Sequence, residues 1–326
     1  MRPILWLLLL LSTGASAALA PSPVRDLRVG LERADKAMAE ADYRVAYQEY
    51  SLHADNNGLA QFALGLIEQR GWGRPADPTA ACGWFGRAAH ASIPTAQQFY
   101  GDCYAQGIGL AVDGQAALKW YQAAVNGGLV AAACAAGQLY IEGRLVDKDI
   151  PRGLALCTST AQAQSTPAMM TLAAYYQKGS EVPQNLPLAR FWYEQAAQRH
   201  VHEAQFQLGL MLSEGQGGEA DPQNARFWLE HAAMEGYAPA YLATAILYAN
   251  APVDPQTGVL TPKDLAKIYM WNSAAKSATH NQQQLAEIER IEKLVLAVMP
   301  EQWKPELDRR VAEHLANASK PDAIAQ

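Results

Sequence analysis

Three groups of residues have the types and spacings from which chemistry could be built. Ser273 and Lys276 form a Ser-x-x-Lys pattern, which in penicillin-recognising enzymes supplies a serine nucleophile with a lysine beside it. The companion Lys-Thr-Gly and Ser-Asp-Asn patterns are absent, and Ala274-Ala275 read as the small pair of a packed helix, so catalysis is not expected there. His200 and His202 flank Val201 at a spacing that could offer two imidazoles to a metal, but no further ligands gather around them. Neither a metal site nor a cofactor is expected, and the scattered Asp and Glu residues read as a solvated surface. Cys82, Cys103, Cys134 and Cys157 could form two disulfides in any of three connectivities. Cys82 and Cys103 are equidistant from a turn near Ser92, and Cys134 and Cys157 from a loop near Leu145, which puts each pair at matching heights on neighbouring antiparallel helices. Cys82–Cys103 and Cys134–Cys157 are therefore candidate bridges. Buried reduced thiols are the alternative, since Cys103 shares its register with Ile67, Leu139 and Met211.

The elements that would carry these residues follow a beat of thirty-six residues. Gly65, Gly101, Gly137 and Gly209 fall on it, with Ala173 and Ala245 at the same register. A second glycine follows six residues later, at Gly71, Gly107, Gly143, Gly179 and Gly215, where a helix C-terminus favours a residue tolerant of positive φ. Trp84, Trp120, Trp192 and Trp228 lie nineteen residues after the first glycine and mark a second helix. Asp77-Pro78, Asp113-Gly114 and Asp221-Pro222 supply capping and first-turn residues between the two. Each unit is thus helix, loop, helix. Two short helices cannot bury both apolar stripes on each other, so units must stack. The repeat glycines, with Ala60, Ala96, Ala132, Ala168, Ala204 and Ala240 five residues before them, give the close approach, and the tryptophans with Tyr104, Tyr140, Tyr176 and Tyr248 are expected to fill the gaps.

The run Ala204, Leu208-Gly209, Gly215, Gly217, Asp221, Ala225, Trp228, Ala232-Ala233 and Gly236 resembles the Sel-one-like repeat, a relative of the tetratricopeptide repeat. The resemblance covers about Asn57 to Ala275 and implies an all-α fold, a right-handed α/α superhelical solenoid. Six units are expected over 57–276, the sixth carrying an insertion around 251–262. The third departs from the pattern in having Leu156-Cys157 in place of an aromatic pair, and the fourth in having Ala173 for glycine. Residues 18–56 read as a degenerate first unit and 277–316 as two capping helices, with a flexible tail over 317–326. By analogy with the tetratricopeptide pattern, a partner-binding groove would be lined by Leu66, Phe99, Asp102, Gln138, Gln207, Leu210 and Ile246; packing explains the apolar members equally well.

The first residues set the compartment. Arg2, the apolar run Ile4 to Leu11 and small residues through Ala20 have the layout of a secretory signal peptide, 1–17, with cleavage expected after Ala17. The run is too short to span a bilayer, which takes roughly 20 apolar residues, so no stable membrane insertion is expected after cleavage. No cysteine precedes Cys82 to accept a lipid. Half of the 326 residues are apolar, and the net charge of -6 supplies no basic footprint for nucleic acid. The expected function is a periplasmic scaffold or adaptor that binds a protein or peptide partner in the cell envelope; the resemblance implies roles in envelope assembly, polysaccharide secretion or signalling. A secreted protein that binds host molecules is the alternative. An enzyme of β-lactam or cell-wall chemistry is a third reading, prompted by β-lactam-binding members of the resembled family.

Overall fold

The computed structural model describes residue 28 and residues 30–318; the signal-peptide expectation for 1–17 and the tail beyond 318 lie outside the described residues. The described residues form α-helices joined by turns, one short 3₁₀ turn over Glu301–Trp303, and no strand. Helices α1 (Glu32–Ala39) and α2 (Tyr43–His53) precede the regular array. Five pairs follow: α3 (Gly58–Arg70) with α4 (Pro78–His90), α5 (Pro94–Gln106) with α6 (Gly114–Asn126), α7 (Ala132–Glu142) with α8 (Ile150–Gln162), α9 (Thr166–Lys178) with α10 (Leu186–Ala197), and α11 (His202–Glu214) with α12 (Pro222–Met234). A sixth pair, α13 (Pro239–Ala249) and α14 (Pro262–Ala278), leads to α15 (Gln282–Leu296) and α16 (Lys304–Ala318). From α1 to α14 each helix packs on its neighbours in the chain, and α15 and α16 both pack on α14, so the fold is a solenoid of stacked helical pairs closed by two further helices.

Local sequence explains the boundaries. The glycines at 71, 107, 143, 179 and 215 end the first helix of each regular pair in the left-handed conformation, with φ between +66° and +72°. Asp77, Asp113, Asp149, Asn185 and Asp221 cap the second helices by accepting backbone N–H groups. Such a cap is worth about 1 kcal/mol over alanine. The sixth pair differs: α13 ends on Asn250 at φ -92°, and the connection 250–261 is longer than 71–77, folded around Asp254, whose carboxylate accepts from the Gln256 and Thr257 backbone N–H groups. Turns between units also need a left-handed residue, which is Ser92, Gly128, Gln164, His200 and Gly236 in successive units. His200 thus holds a turn position, at φ +59°.

The core lies between the helices of each pair and between successive pairs. A Cβ on Gly65 would lie 2.5 Å from Phe85, one on Gly101 2.6 Å from Tyr121, and one on Gly209 2.5 Å from Leu229. The residue that fills the space over the repeat glycine is therefore the one after the expected tryptophan. Phe85, Tyr121, Tyr193 and Leu229 are buried at that register, whereas Trp84, Trp120 and Trp228 are half-exposed at the rim. Size drew attention to tryptophan, but a residue one position on points about 100° further round the helix, into the pair. At the C-terminal end α16 continues through Asn317 and Ala318, past the expected start of the tail, with Ala318 against the Gly236 turn.

Candidate functional site

The first helices of successive units lie side by side and present a common face. Two adjoining cavities of about 480 Å³ each open on it. One lies between α5 and α7, with Asp102, Ala105, Val112 and Leu139 on its walls; the other lies between α7 and α9, with Thr171, Tyr175 and Glu203. Gln138, Glu142 and Arg144 line both and form the partition. A further hollow, about 940 Å³, runs over α4 where Gly83 and Gly86 leave the helix without side chains, beside Arg87, His90 and Tyr100.

Asp102 is set by the packing beneath it. Tyr121, lying over Gly101, reaches past it and donates its hydroxyl to Asp102 Oδ1 at 2.7 Å. Burial pushes the Asp102 carboxyl up to about 6, from an ordinary 3.8, and the Tyr121 hydrogen bond offsets only part of that rise. No ion pair to Asp102 forms among the described residues. Arg144 bonds instead to Glu142, with Nε 3.2 Å from Oε2, and Lys178 lies 3.9 Å from Glu181. Burial likewise pushes Tyr175 up to about 12, reinforced by Glu142 and Glu181 and opposed by a hydrogen bond with Gln138. The face can thus hold a chain segment by apolar contact, hydrogen bonds and a carboxylate that still lacks a counter-ion.

Of the seven sequence-derived groove residues, Asp102 and Gln138 line the cavities. Leu66 and Phe99 are half-buried against Phe85 and Cys103, with the Phe99 ring 4.8 Å from that of Phe85. Ile246 packs against the C-terminal core, and Gln207 and Leu210 are half-buried on α11. Tyr121, Glu142, Arg144 and Tyr175 were not foreseen; the register of Tyr121, immediately after the tryptophan, was the signal that could have found it.

The other candidates fall elsewhere. Lys276 pairs with Glu292 of α15 at 2.6 Å, which raises its pKa and keeps it an ammonium, the reverse of what a general base requires. Ser273 is half-buried, and its carbonyl accepts from Ser277. His200 and His202 both face Glu235, at 3.6 and 2.6 Å, and no group of three metal-ligating side chains forms among the described residues. The cysteines meet as Cys82–Cys103, Cα atoms 6.0 Å apart, and Cys134–Cys157, 4.2 Å apart. The first joins α4 to α5 across two units; the second joins α7 to α8 within one. No helix among the described residues is long and apolar enough to cross a membrane.

A stack of helical pairs with cavities along one face is the architecture of a helical repeat protein, a class whose extended surfaces hold other proteins. The Sel1 repeat model matches residues 58–92, 94–129, 130–165, 166–200 and 202–237, more than half of the chain, which therefore belongs to the Sel1 repeat family. The sixth pair, with its longer connection, lies outside the match. No curated protein matches the sequence. Among solved structures the chain is similar to a protective antigen of uropathogenic Escherichia coli displaying an SLR fold, at 23% identity and TM-score 0.57, over 86% of this chain and 60% of that one. It is also similar to a Sel1 repeat protein from Oxalobacter formigenes, at 25% identity and TM-score 0.57, over 76% of this chain and all of that one. The family's fold generally serves protein–protein interaction and is non-catalytic.

Proposed function

We propose that the chain is a scaffold or adaptor of the bacterial cell envelope, which holds a protein or peptide partner on the face built by its first helices. The observation that carries the reading is the pair of adjoining cavities sharing Gln138, Glu142 and Arg144, a continuous receptive surface across three units. The flanking members of the face are Leu66, Phe99, Gln207, Leu210 and Ile246. Export to the periplasm rests on the N-terminal pattern Arg2, Ile4 to Leu11 and Ala15-Ser16-Ala17, and on two cysteine pairs placed to bridge, which suits an oxidising compartment.

Cross-linking the protein in its native envelope, purifying it and identifying what is bound by mass spectrometry tests this, beside a variant carrying Asp102→Lys and Leu210→Glu. A specific envelope partner that is lost in the variant is the expected result. A partner retained by the variant would move the binding surface elsewhere, and recovery from culture medium in place of the periplasm would overturn the compartment.

A further inference from the structure

We infer that the cavity between α5 and α7 receives a lysine or arginine side chain from the bound segment, with Asp102 as its counter-ion. The inference rests on the first-helix face being the binding face and names what that face selects. Asp102 is a largely buried carboxylate whose one polar partner among the described residues is the Tyr121 hydroxyl, at 2.7 Å. The two cations that line the cavities are already paired, Arg144 with Glu142 and Lys178 with Glu181. Across the two cavities four carboxylates, Asp102, Glu142, Glu181 and Glu203, face two cations, so the surface is short of positive charge.

The alternatives fit worse. An acidic group from the partner would meet Asp102 and Glu142 together. An apolar side chain would seal Asp102 from water without giving it a partner, and a charge buried in that state is costly. A basic side chain supplies the missing charge, and its methylene stem has apolar walls to lie on in Ala105, Val112, Ala135 and Leu139. The long stem also suits a carboxylate set back beneath the surface by the packing of Tyr121 over Gly101.

The test uses a phage-displayed library of random linear dodecapeptides, selected on the purified full chain with both disulfides intact. Retained peptides are re-measured on Asp102→Asn, which keeps an acceptor for Tyr121 and removes the charge, on Asp102→Glu, and on Thr171→Arg in the neighbouring cavity. Expected are peptides sharing one Lys or Arg, weakened about thirtyfold or more by Asp102→Asn, by Thr171→Arg, and by citrulline in place of the arginine, with Asp102→Glu recovering part of the loss. Peptides weakened by Thr171→Arg but indifferent to Asp102→Asn would overturn the inference and leave the binding face standing. Peptides indifferent to both variants, or no peptide retained at all, would overturn both. Thermal unfolding and far-UV circular dichroism of each variant establish that a loss of binding is not a loss of fold.

Discussion

The sulfur of Cys157 lies 3.1 Å from where a Cβ on Gly137 would stand, in the place that Phe85, Tyr121 and Leu229 occupy over their own repeat glycines. Cys157 is fully buried and bonded to Cys134, with Cα atoms 4.2 Å apart. A sulfur is far smaller than an aromatic ring, so α7 and α8 must come closer than the helices of other units. Gly153 permits it: the same register holds Ala81, Ala117, Ala189 and Ala225 elsewhere, and a Cβ on Gly153 would lie 2.5 Å from the Gly137 carbonyl oxygen. The third unit thus exchanges a ring for a covalent bond.

Gly153→Ala should therefore overpack a contact made against backbone, which cannot move aside. A loss of about 1–3 kcal/mol in unfolding free energy is expected. Gly83→Ala is the matched control, because a Cβ there meets nothing within 4 Å. It should stabilise α4 by about 0.5–1 kcal/mol through helix propensity alone. Urea titration of both variants reads the opposite signs.

The two bridges should fail differently. Their sequence separations of 21 and 23 residues give similar loop-closure terms, about 3 kcal/mol each. Replacing Cys134 and Cys157 by alanine also leaves a gap over Gly137 and should cost more. Replacing Cys82 and Cys103 removes a tie between units, so amides of α1 to α4 should exchange faster than those of α9 to α12, as native-state hydrogen exchange would show. Equal exchange along the whole chain would mean that the stack unfolds as one body.

Much of this was readable because it depends on single positions with strong local requirements. A residue with φ near +70° at 71, 107, 143, 179 and 215 favours glycine, and a second helix starting at 78, 114 or 222 favours Asp before it. The beat of these two signals gives unit length and helix boundaries. What each residue touches is a matter of rotation about the helix axis, which spacing does not reveal. Trp84 and Phe85 are adjacent, yet only Phe85 lies over Gly65. The same limit hid Tyr121, whose hydroxyl reaches Asp102 nineteen residues back along the chain. That His200 lies in a turn between units was legible, but not that the turn holds it left-handed, as it does Ser92, Gly128, Gln164 and Gly236.

A recurrent glutamine supplies a third prediction. Gln61, Gln97 and Gln205 stand four residues before their repeat glycines, and each donates its amide to a carbonyl near the end of the preceding helix. The distances are 2.7 Å to Ala54, 3.3 Å to Ala89 and 3.5 Å to Ala197. Gln61→Leu strands the Ala54 carbonyl and should cost about 1–2 kcal/mol, while Gln205→Leu, which gives up a long bond, should cost less. Thermal unfolding of the two variants ranks them.

Asp102 makes stability depend on pH in a direction opposite to that of a salt-bridged carboxylate. Its pKa is about 6 in the folded chain against an ordinary 3.8, so between those values the folded state holds the proton that the unfolded state has lost. Folding is favoured by protonation, and the contribution of Asp102 to stability falls as pH rises from about 4 to 6, then stays low. Two pH units correspond to about 3 kcal/mol at most, and solvent screening of this part-exposed group reduces that to about 1–2 kcal/mol. Other carboxylates act the opposite way, among them Glu306, held down to about 2 by Arg309 and Arg310, so the total curve does not isolate Asp102. The difference between the wild-type chain and Asp102→Asn does. Asn keeps the acceptor for Tyr121 without the charge, so the variant should be the more stable protein at pH 7 and lose that advantage by pH 4. A difference that does not change with pH would show that the Asp102 carboxylate is solvated in the folded chain, and would remove the ground for a counter-ion at that site.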